Sequence, residues 1–305
     1  MKSGSPAQAR KVAAPPGSGN RVCRSFSTRV SILRDAPGGG ESGLIHALDI
    51  LPALRAARRR AGHLLAAVDY DGTLTPIVAH PAAARLAPAA RDVIARLALR
   101  ADTWVAVLSG RALADVQERL GLPGLYYAGN HGLEISGPGL EWVHPGARAA
   151  LPALRAAAAE LREELRTVAG AEVEDKGVSL SVHYRRVAPA ARPGVRDVAL
   201  RTGCGRAGVR CTEGKLAVEL RPDVAWHKGE ALRFIRGSLP GGEACPALFL
   251  GDDRTDEDAF RVLAGEDCGV VVAAEPPAGT AAGAYLASPR EVIAFLAGLL
   301  PDADG

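Results

Sequence analysis

Residues 63–68 read His-Leu-Leu-Ala-Ala-Val and stop at Asp69-Tyr70-Asp71-Gly72. A short, continuous apolar run closed by a turn is a strand buried on both faces. Similar runs recur at 103–108, 125–128, 247–250 and 269–272, and helix-length segments rich in Ala, Leu and Arg lie between several of them, at 88–99 and 113–120. Strands alternating with helices require right-handed crossovers. They predict an α/β fold with a doubly wound, Rossmann-like parallel sheet and helices on both faces. Such sheets bind ligands beyond the carboxyl ends of their strands, and that is where this chain places its polar residues.

The stretch from about Glu141 to Arg221 breaks the rhythm. It holds a long helical pattern at 147–168, strand-like runs at 173 and 178–184, a second helix at 193–202 and two further strands at 209–212 and 216–220. An α+β insertion bracketed by two halves of a parallel sheet predicts a cap domain at 141–221 on a core of 44–140 and 222–305. At the start of that core Leu44, Ile45, Leu48, Leu51 and Leu54 recur at helical spacing and run into Arg58-Arg59-Arg60, which predicts a helix ending in cations. Residues 1–43 are rich in Ser, Gly, Pro, Ala and Arg without hydrophobic period, and are expected to be a disordered basic tail.

Charge follows the same division. Seven Lys/Arg against Asp35 and Glu41 give the first 45 residues +5, so the rest of a chain of net +3 is mildly acidic. No basic stripe with interleaved aromatics accompanies the tail, which argues against nucleic acid as a partner. Five scattered cysteines without a C-x-x-C pair point to reduced thiols, and no run approaches the length of a membrane span. The expectation is a soluble cytoplasmic protein with no membrane partner.

Four motifs sit at strand ends or helix starts. The first is Asp69-x-Asp71-Gly72-Thr73, two carboxylates one residue apart beyond the first buried strand. The second is Ser109-Gly110-Arg111, a hydroxyl at the opening of a helix whose free N–H groups favour a phosphate; alone it would read as a helix cap. The third is Lys228, early in a helix and therefore opposed to its dipole unless an anion is close. The fourth is Asp252-Asp253-Arg254-Thr255-Asp256-Glu257-Asp258, an acid cluster whose self-repulsion a divalent cation would relieve. Mg²⁺ prefers one or two protein carboxylates together with water and phosphate. The spacing lacks the glycine and terminal glutamate of an EF-hand.

In this order the motifs resemble those of the haloacid-dehalogenase-like phosphatases, over residues 64 to about 299. Finer strings resemble the trehalose-6-phosphate phosphatases: Asp69-Tyr-Asp-Gly-Thr-Leu-Thr-Pro-Ile77, Gly129-Asn-His-Gly-Leu-Glu134, Glu174-Asp-Lys176, His183-Tyr-Arg185, Glu219-Leu-Arg-Pro222 and Gly251-Asp-Asp-Arg-Thr-Asp-Glu-Asp. The resemblance implies attack by Asp69 on phosphorus to form an aspartyl-phosphate, with Asp71 as acid and then base, and with Ser109 and Lys228 holding the phosphoryl charge. It implies Mg²⁺ on Asp69, Asp252 and the Asp71 carbonyl, with Asp253 or Asp256 in support. It also places Glu174, Lys176, Arg185 and Glu219 on trehalose hydroxyls, with Gly72, Arg111 and Asn130 as further substrate contacts. For Asn130 and His131 a site-lining role and a turn role both stand, and His183, alternating with Tyr184, reads as structural. The implied substrate is trehalose 6-phosphate, with a trehalose-6-phosphate synthase working alongside. Rivals are a phosphatase for sucrose phosphate or a mannosyl phosphoglycerate, a phosphomutase, and a non-catalytic sugar-phosphate sensor.

Overall fold

The computed structural model describes residues 44–78 and 83–301; the expected tail at 1–43 lies outside them. The chain opens with β1 (Ile45–His46), a 3₁₀ turn at Ala47–Ile50 and α1 (Leu51–Ala61). It continues through β2 (Leu64–Asp69), α2 (Pro88–Ala98), β3 (Thr103–Leu108), α3 (Leu113–Leu120), β4 (Tyr126–Gly129), β5 (Glu134–Gly137) and β6 (Leu140–Val143). Then follow α4 (Pro145–Glu164), β7 (Glu172–Asp175), β8 (Leu180–His183), α5 (Arg192–Cys204), β9 (Val209–Gly214) and β10 (Ala217–Pro222). The chain closes with α6 (Lys228–Ser238), β11 (Ala247–Gly251), α7 (Glu257–Phe260), β12 (Cys268–Val272), β13 (Ala284–Leu286) and α8 (Pro289–Ala297).

Nine strands form one sheet in the order β1-β13-β12-β11-β2-β3-β4-β5-β6, parallel from β1 to β4 and antiparallel at β5 and β6. The apolar runs are strands because both faces are covered. Along β2, Leu64 and Val68 pack into one core while Leu65 and Ala67 pack into the other, and β3 and β11 divide their residues the same way. The first core is closed by α1, α2, α3 and α8 through residues such as Leu54, Ile94, Val116 and Phe295. The second is closed by α6 and α7 through Leu232, Ile235 and Phe260. Each such fully buried side chain contributes roughly 1.5–3 kcal/mol by leaving water, so the centre of the sheet holds the strand ends in place.

The inserted lobe has a sheet of its own, β7-β8-β10-β9, antiparallel throughout. Period two sorts its residues. Val173, Leu180, Val182, Val218, Leu220 and Cys211 face α4 and α5 in a separate core. Their neighbours Glu174, Ser181, His183, Ala217, Glu219 and Thr212 are in register on the other face, toward the large sheet.

Two sequence expectations change. The helix expected from Leu44 starts only at Leu51, because Ile45 and His46 pair in parallel with Ala284 and Tyr285 of β13, Ala47–Ile50 form a 3₁₀ turn, and Pro52 at the second helical position has no N–H to bond back into that turn. The boundary expected at residue 141 falls inside β6, which is hydrogen-bonded to β5 and belongs to the large sheet. The β5–β6 hairpin escapes a search for continuous apolar runs because it alternates, with Ile135 and Trp142 buried and Glu134 and Glu141 outside that core.

Candidate functional site

The strand ends converge on three acids and a lysine. Asp69 closes β2 with 4% of its surface exposed, and Lys228 opens α6 at 2%. The helix start is fixed by His227, whose Nδ1 accepts the Gly229 N–H at 3.1 Å. Lys228 Nζ donates to Asp69 Oδ1 and to Asp256 Oδ1, both at 2.7 Å. Asp256, fully buried, turns its other oxygen to the backbone N–H groups of Asp252 and Asp253 at 3.0 Å each. Thr73 Oγ1 donates to Asp252 Oδ1 at 3.3 Å. A cation at a helix N-terminus, disfavoured on its own, is here held by two carboxylates.

Gly72 explains how the loop after β2 comes so close. Its φ is +89°, and a Cβ there would meet Asp252 Oδ2 at 2.0 Å. Only glycine lets the turn pass against Asp252. Gly72 is buried and does not line the cleft, so its expected place among the substrate contacts gives way to a backbone role.

Asp69, Asp252 and Asp256 offer carboxylate oxygens all within 4.8 Å of one another. Burial, then the neighbouring Asp256 and Asp253 carboxylates, push Asp252 up to about 7. Burial raises Asp69 well above the ordinary carboxylate range, and Lys228 offsets only part of that. For Lys228 burial works the other way, yet Asp256 and Asp69 override it and hold the ammonium charged. Three clustered carboxylates against one lysine leave excess negative charge in a place with little water. The donor set, all hard oxygen, fits a divalent cation of the Mg²⁺ type.

The carboxylates of the other two acids expected at the metal are engaged elsewhere, which for Asp71 leaves the expected backbone-carbonyl contact untouched. Asp253 Oδ1 accepts from Thr255 N, Thr255 Oγ1 and Asp256 N, so its carboxylate ties the 253–256 turn and lies outside the three-acid group. The Asp71 carboxylate receives two bonds from Arg111, each 2.6 Å. Arg111 also reaches Asp115 at 2.9 Å, and its backbone N–H donates to Ser109 Oγ at 3.2 Å. Ser109 is buried at the end of β3.

Above these residues opens a cleft of about 510 Å³ between the two sheets. Its floor includes Asp69, Asp71, Arg111 and Lys228, and its roof is the cleft-facing side of the small sheet. Lys176 Nζ lies 3.3 Å from Glu219 and donates to the Gly110 carbonyl at 3.3 Å, so one cap side chain touches the loop beside Ser109. His131 Nε2 sits 3.6 Å from Glu219. Although burial favours its neutral form, His131, Lys176 and Arg221 keep Glu219 ionised far below the usual range. Glu174 Oε2 accepts from His183 Nε2 at 2.8 Å, and that bond lowers the Glu174 pKa.

Two expected substrate contacts lie outside this cleft. Arg185 lines a neighbouring cavity and donates to the Lys215 carbonyl at 3.2 Å. Asn130 is buried, with Nδ2 on Glu134 Oε2 at 2.6 Å and on the Lys176 carbonyl at 2.9 Å, while Oδ1 accepts from Ser179 Oγ at 2.6 Å. Its donors and acceptor are taken, so it fastens the 176–179 turn of the lobe to the large sheet. Asn130 and His131 both have positive φ, 51° and 57°, an uncommon backbone for residues other than glycine. Ser181 lines the cleft without any expectation from the sequence, and Arg221, quoted there only as part of the Glu219–Pro222 string, lines it too. The polar–apolar alternation of residues 217–221 is the signal that places Arg221 on the same face as Glu219.

Residues 67–288 match the family model described as trehalose-phosphatase. The chain is 45% identical over 234 residues to a trehalose-phosphate phosphatase of Mycobacterium bovis, covering 74% of this chain and 59% of that protein. It therefore spans about three-fifths of the length of the curated relatives it matches. Among solved structures, the C-terminal domain of Candida albicans trehalose-6-phosphate phosphatase superposes with a TM-score of 0.67 at 26% identity, over 85% of this chain and 99% of that one. Aspergillus fumigatus trehalose-6-phosphate phosphatase gives 0.57 at 30% identity, over 84% and 98%.

Proposed function

This chain belongs to the trehalose-phosphatase family, and on that premise we propose that it hydrolyses trehalose 6-phosphate to trehalose and inorganic phosphate, with Asp69 as nucleophile. The observation that carries the reading is the join at Gly110. The buried Asp69–Lys228 pair and the Lys176–Glu219 pair of the lobe face one cleft, and Lys176 reaches the loop next to Ser109.

In the first step an Asp69 carboxylate oxygen bonds to phosphorus as the phosphorus–sugar oxygen bond breaks. The leaving oxygen takes a proton from Asp71. In the second step water attacks the aspartyl-phosphate, Asp71 takes back a proton, and the Asp69 carboxylate is regenerated. Lys228 holds Asp69 in the attacking orientation and balances its charge. Asp71 can deliver a proton only after leaving the two guanidinium bonds that hold it as a carboxylate, so Arg111 must release it when substrate enters. Asp69, Asp252 and Asp256, with the Asp71 backbone carbonyl, would hold Mg²⁺, and Asp253 would orient Asp256. The ion when bound supplies charge stabilisation to the transferring phosphoryl group.

Glu174, Lys176 and Glu219 are matched to sugar hydroxyls as acceptors and donors on one sheet face. A synthase of trehalose 6-phosphate would supply the substrate. Among the described residues no helix is long and apolar enough to cross a membrane, and the reading keeps the expected cytoplasmic setting. The test is phosphate release from a panel of sugar phosphates, with Mg²⁺ and with EDTA. Release from trehalose 6-phosphate well above sucrose 6-phosphate, and lost in EDTA, supports the proposal. Equal rates across the panel would overturn the choice of sugar, and rates indifferent to EDTA the choice of metal.

A further inference from the structure

Along β10 the cleft face runs Ala217, Glu219, Arg221, and its last member has the fewest partners. Arg221 is 9% exposed and lines the cleft. Its nearest carboxylate oxygen, on Glu219, is 3.9 Å away, beyond hydrogen-bond distance. Glu219 already has closer partners in the Lys176 ammonium and the His131 ring, at 3.3 and 3.6 Å. Among the described residues no protein acceptor takes a hydrogen bond from the Arg221 guanidinium.

Directly opposite Arg221 on β9 stands Arg210, on the same face of the sheet, with its Nε buried and without a partner. Like charges facing each other across two strands are destabilising, and buried donors left open cost free energy unless something fills them. Of the two, Arg221 lines the cleft, together with Asp69, Lys228, Asp253 and Thr255, and its charge and that of Lys228 both act on His131. Arg221 thus faces the same cleft as Asp69 and Lys228, with Arg210 behind it on the sheet. A guanidinium fork fits two oxygens of a phosphate.

We propose that Arg221, backed by Arg210, is an anion contact carried by the lobe, which takes the phosphate group of the substrate from the cap side while Lys228 holds Asp69 from the core. The inference rests on the phosphatase reading and deepens it. The lobe reads the charge of its substrate as well as its sugar, and a neutral sugar alone engages only part of the face.

The test uses the full chain with Mg²⁺ and an aryl phosphate as reporter, and measures inhibition by inorganic phosphate and by trehalose separately. Arg221→Gln is expected to raise the inhibition constant for phosphate roughly tenfold or more while leaving that for trehalose within about twofold, since a charge-assisted bond is lost on one ligand only. Arg221→Lys, which keeps the charge without the fork, should fall between Gln and wild type. Calorimetric titration of phosphate into Arg210→Gln should show a smaller loss in the same direction. If inhibition by phosphate and trehalose weakens equally, Arg221 is a closure contact and the proposal fails; it fails too if neither changes. Should the wild type cleave the aryl phosphate but not trehalose 6-phosphate, the sugar assignment falls while the Arg221 comparison still reads.

Discussion

At the ends of the large sheet the charged groups are buried and held from several sides by short bonds; on the facing sheet of the lobe they are partly exposed and held by fewer short bonds. Asp256 is bonded by Lys228 and two backbone N–H groups, and Lys228 by two carboxylates, all within 3.0 Å. Lys176 and Glu219 meet at 3.3 Å, and Glu174 keeps a single ring partner. The difference follows from where each set sits. Strand ends between two packed cores cannot shift without disturbing both, whereas the lobe has its own core and turns only a polar face toward the cleft. Groups that make and break bonds need fixed geometry. Groups proposed to bind a ligand and release it need to come and go with it.

The contrast is sharpest for Asp69, the proposed nucleophile. Asp69→Asn keeps shape and loses nucleophilicity, so turnover of trehalose 6-phosphate and of an aryl phosphate should both fall by about a thousandfold or more. Residual phosphate release above a few per cent of wild type would remove Asp69 from that role. Lys228→Met should reduce turnover of both substrates by roughly a hundredfold and destabilise the fold by about 3–5 kcal/mol, because it strands two buried carboxylates. A denaturant midpoint equal to that of wild type would mean that the pair is not held as the structure shows.

On the lobe the same kind of truncation should discriminate between substrates. Lys176→Ala is expected to lower kcat/KM for trehalose 6-phosphate by roughly ten- to a hundredfold and to leave the aryl phosphate nearly unchanged. Equal losses on both would erase the division between chemistry and recognition. Asn130→Ala tests the join between the regions. Opening its bonds to Glu134, Ser179 and the Lys176 carbonyl should cost about 1–3 kcal/mol of stability, with trehalose 6-phosphate affected more than the aryl phosphate.

The smallest effect concerns pH without metal. Burial with neighbouring acids raises Asp252 to about 7 and burial raises Asp256 to about 6. Between the unfolded carboxylate range and these values the folded protein binds more protons than the unfolded one, so stability falls as pH rises toward about 7 and then levels. In EDTA the melting temperature should drop by a few degrees across that window, less in Asp252→Asn, and Mg²⁺ should reverse most of the drop at the upper end. A cluster contributing no such slope would show the acids to be better solvated than their burial implies.

How much of this was legible in the chain depends on whether the signal was local. The apolar runs ending in Asp69, Ser109 and Gly251 determined the parallel sheet and the side on which the site lies, since a run buried on both faces has no other stable setting. The motifs named Asp69, Lys228 and Asp252, which the structure brings together. Partners distant in sequence were not legible. Only the tertiary structure decided that Asp71 is held by Arg111, that Asp256 joins the three-acid group while Asp253 ties its turn, that Asn130 is a buried fastening and Arg185 lies in the next cavity, and that Arg221 faces the cleft with no acceptor. Spacing along a strand gives the face a residue occupies, but whether that face meets water, a carboxylate or another arginine depends on the packing of elements far apart in the chain.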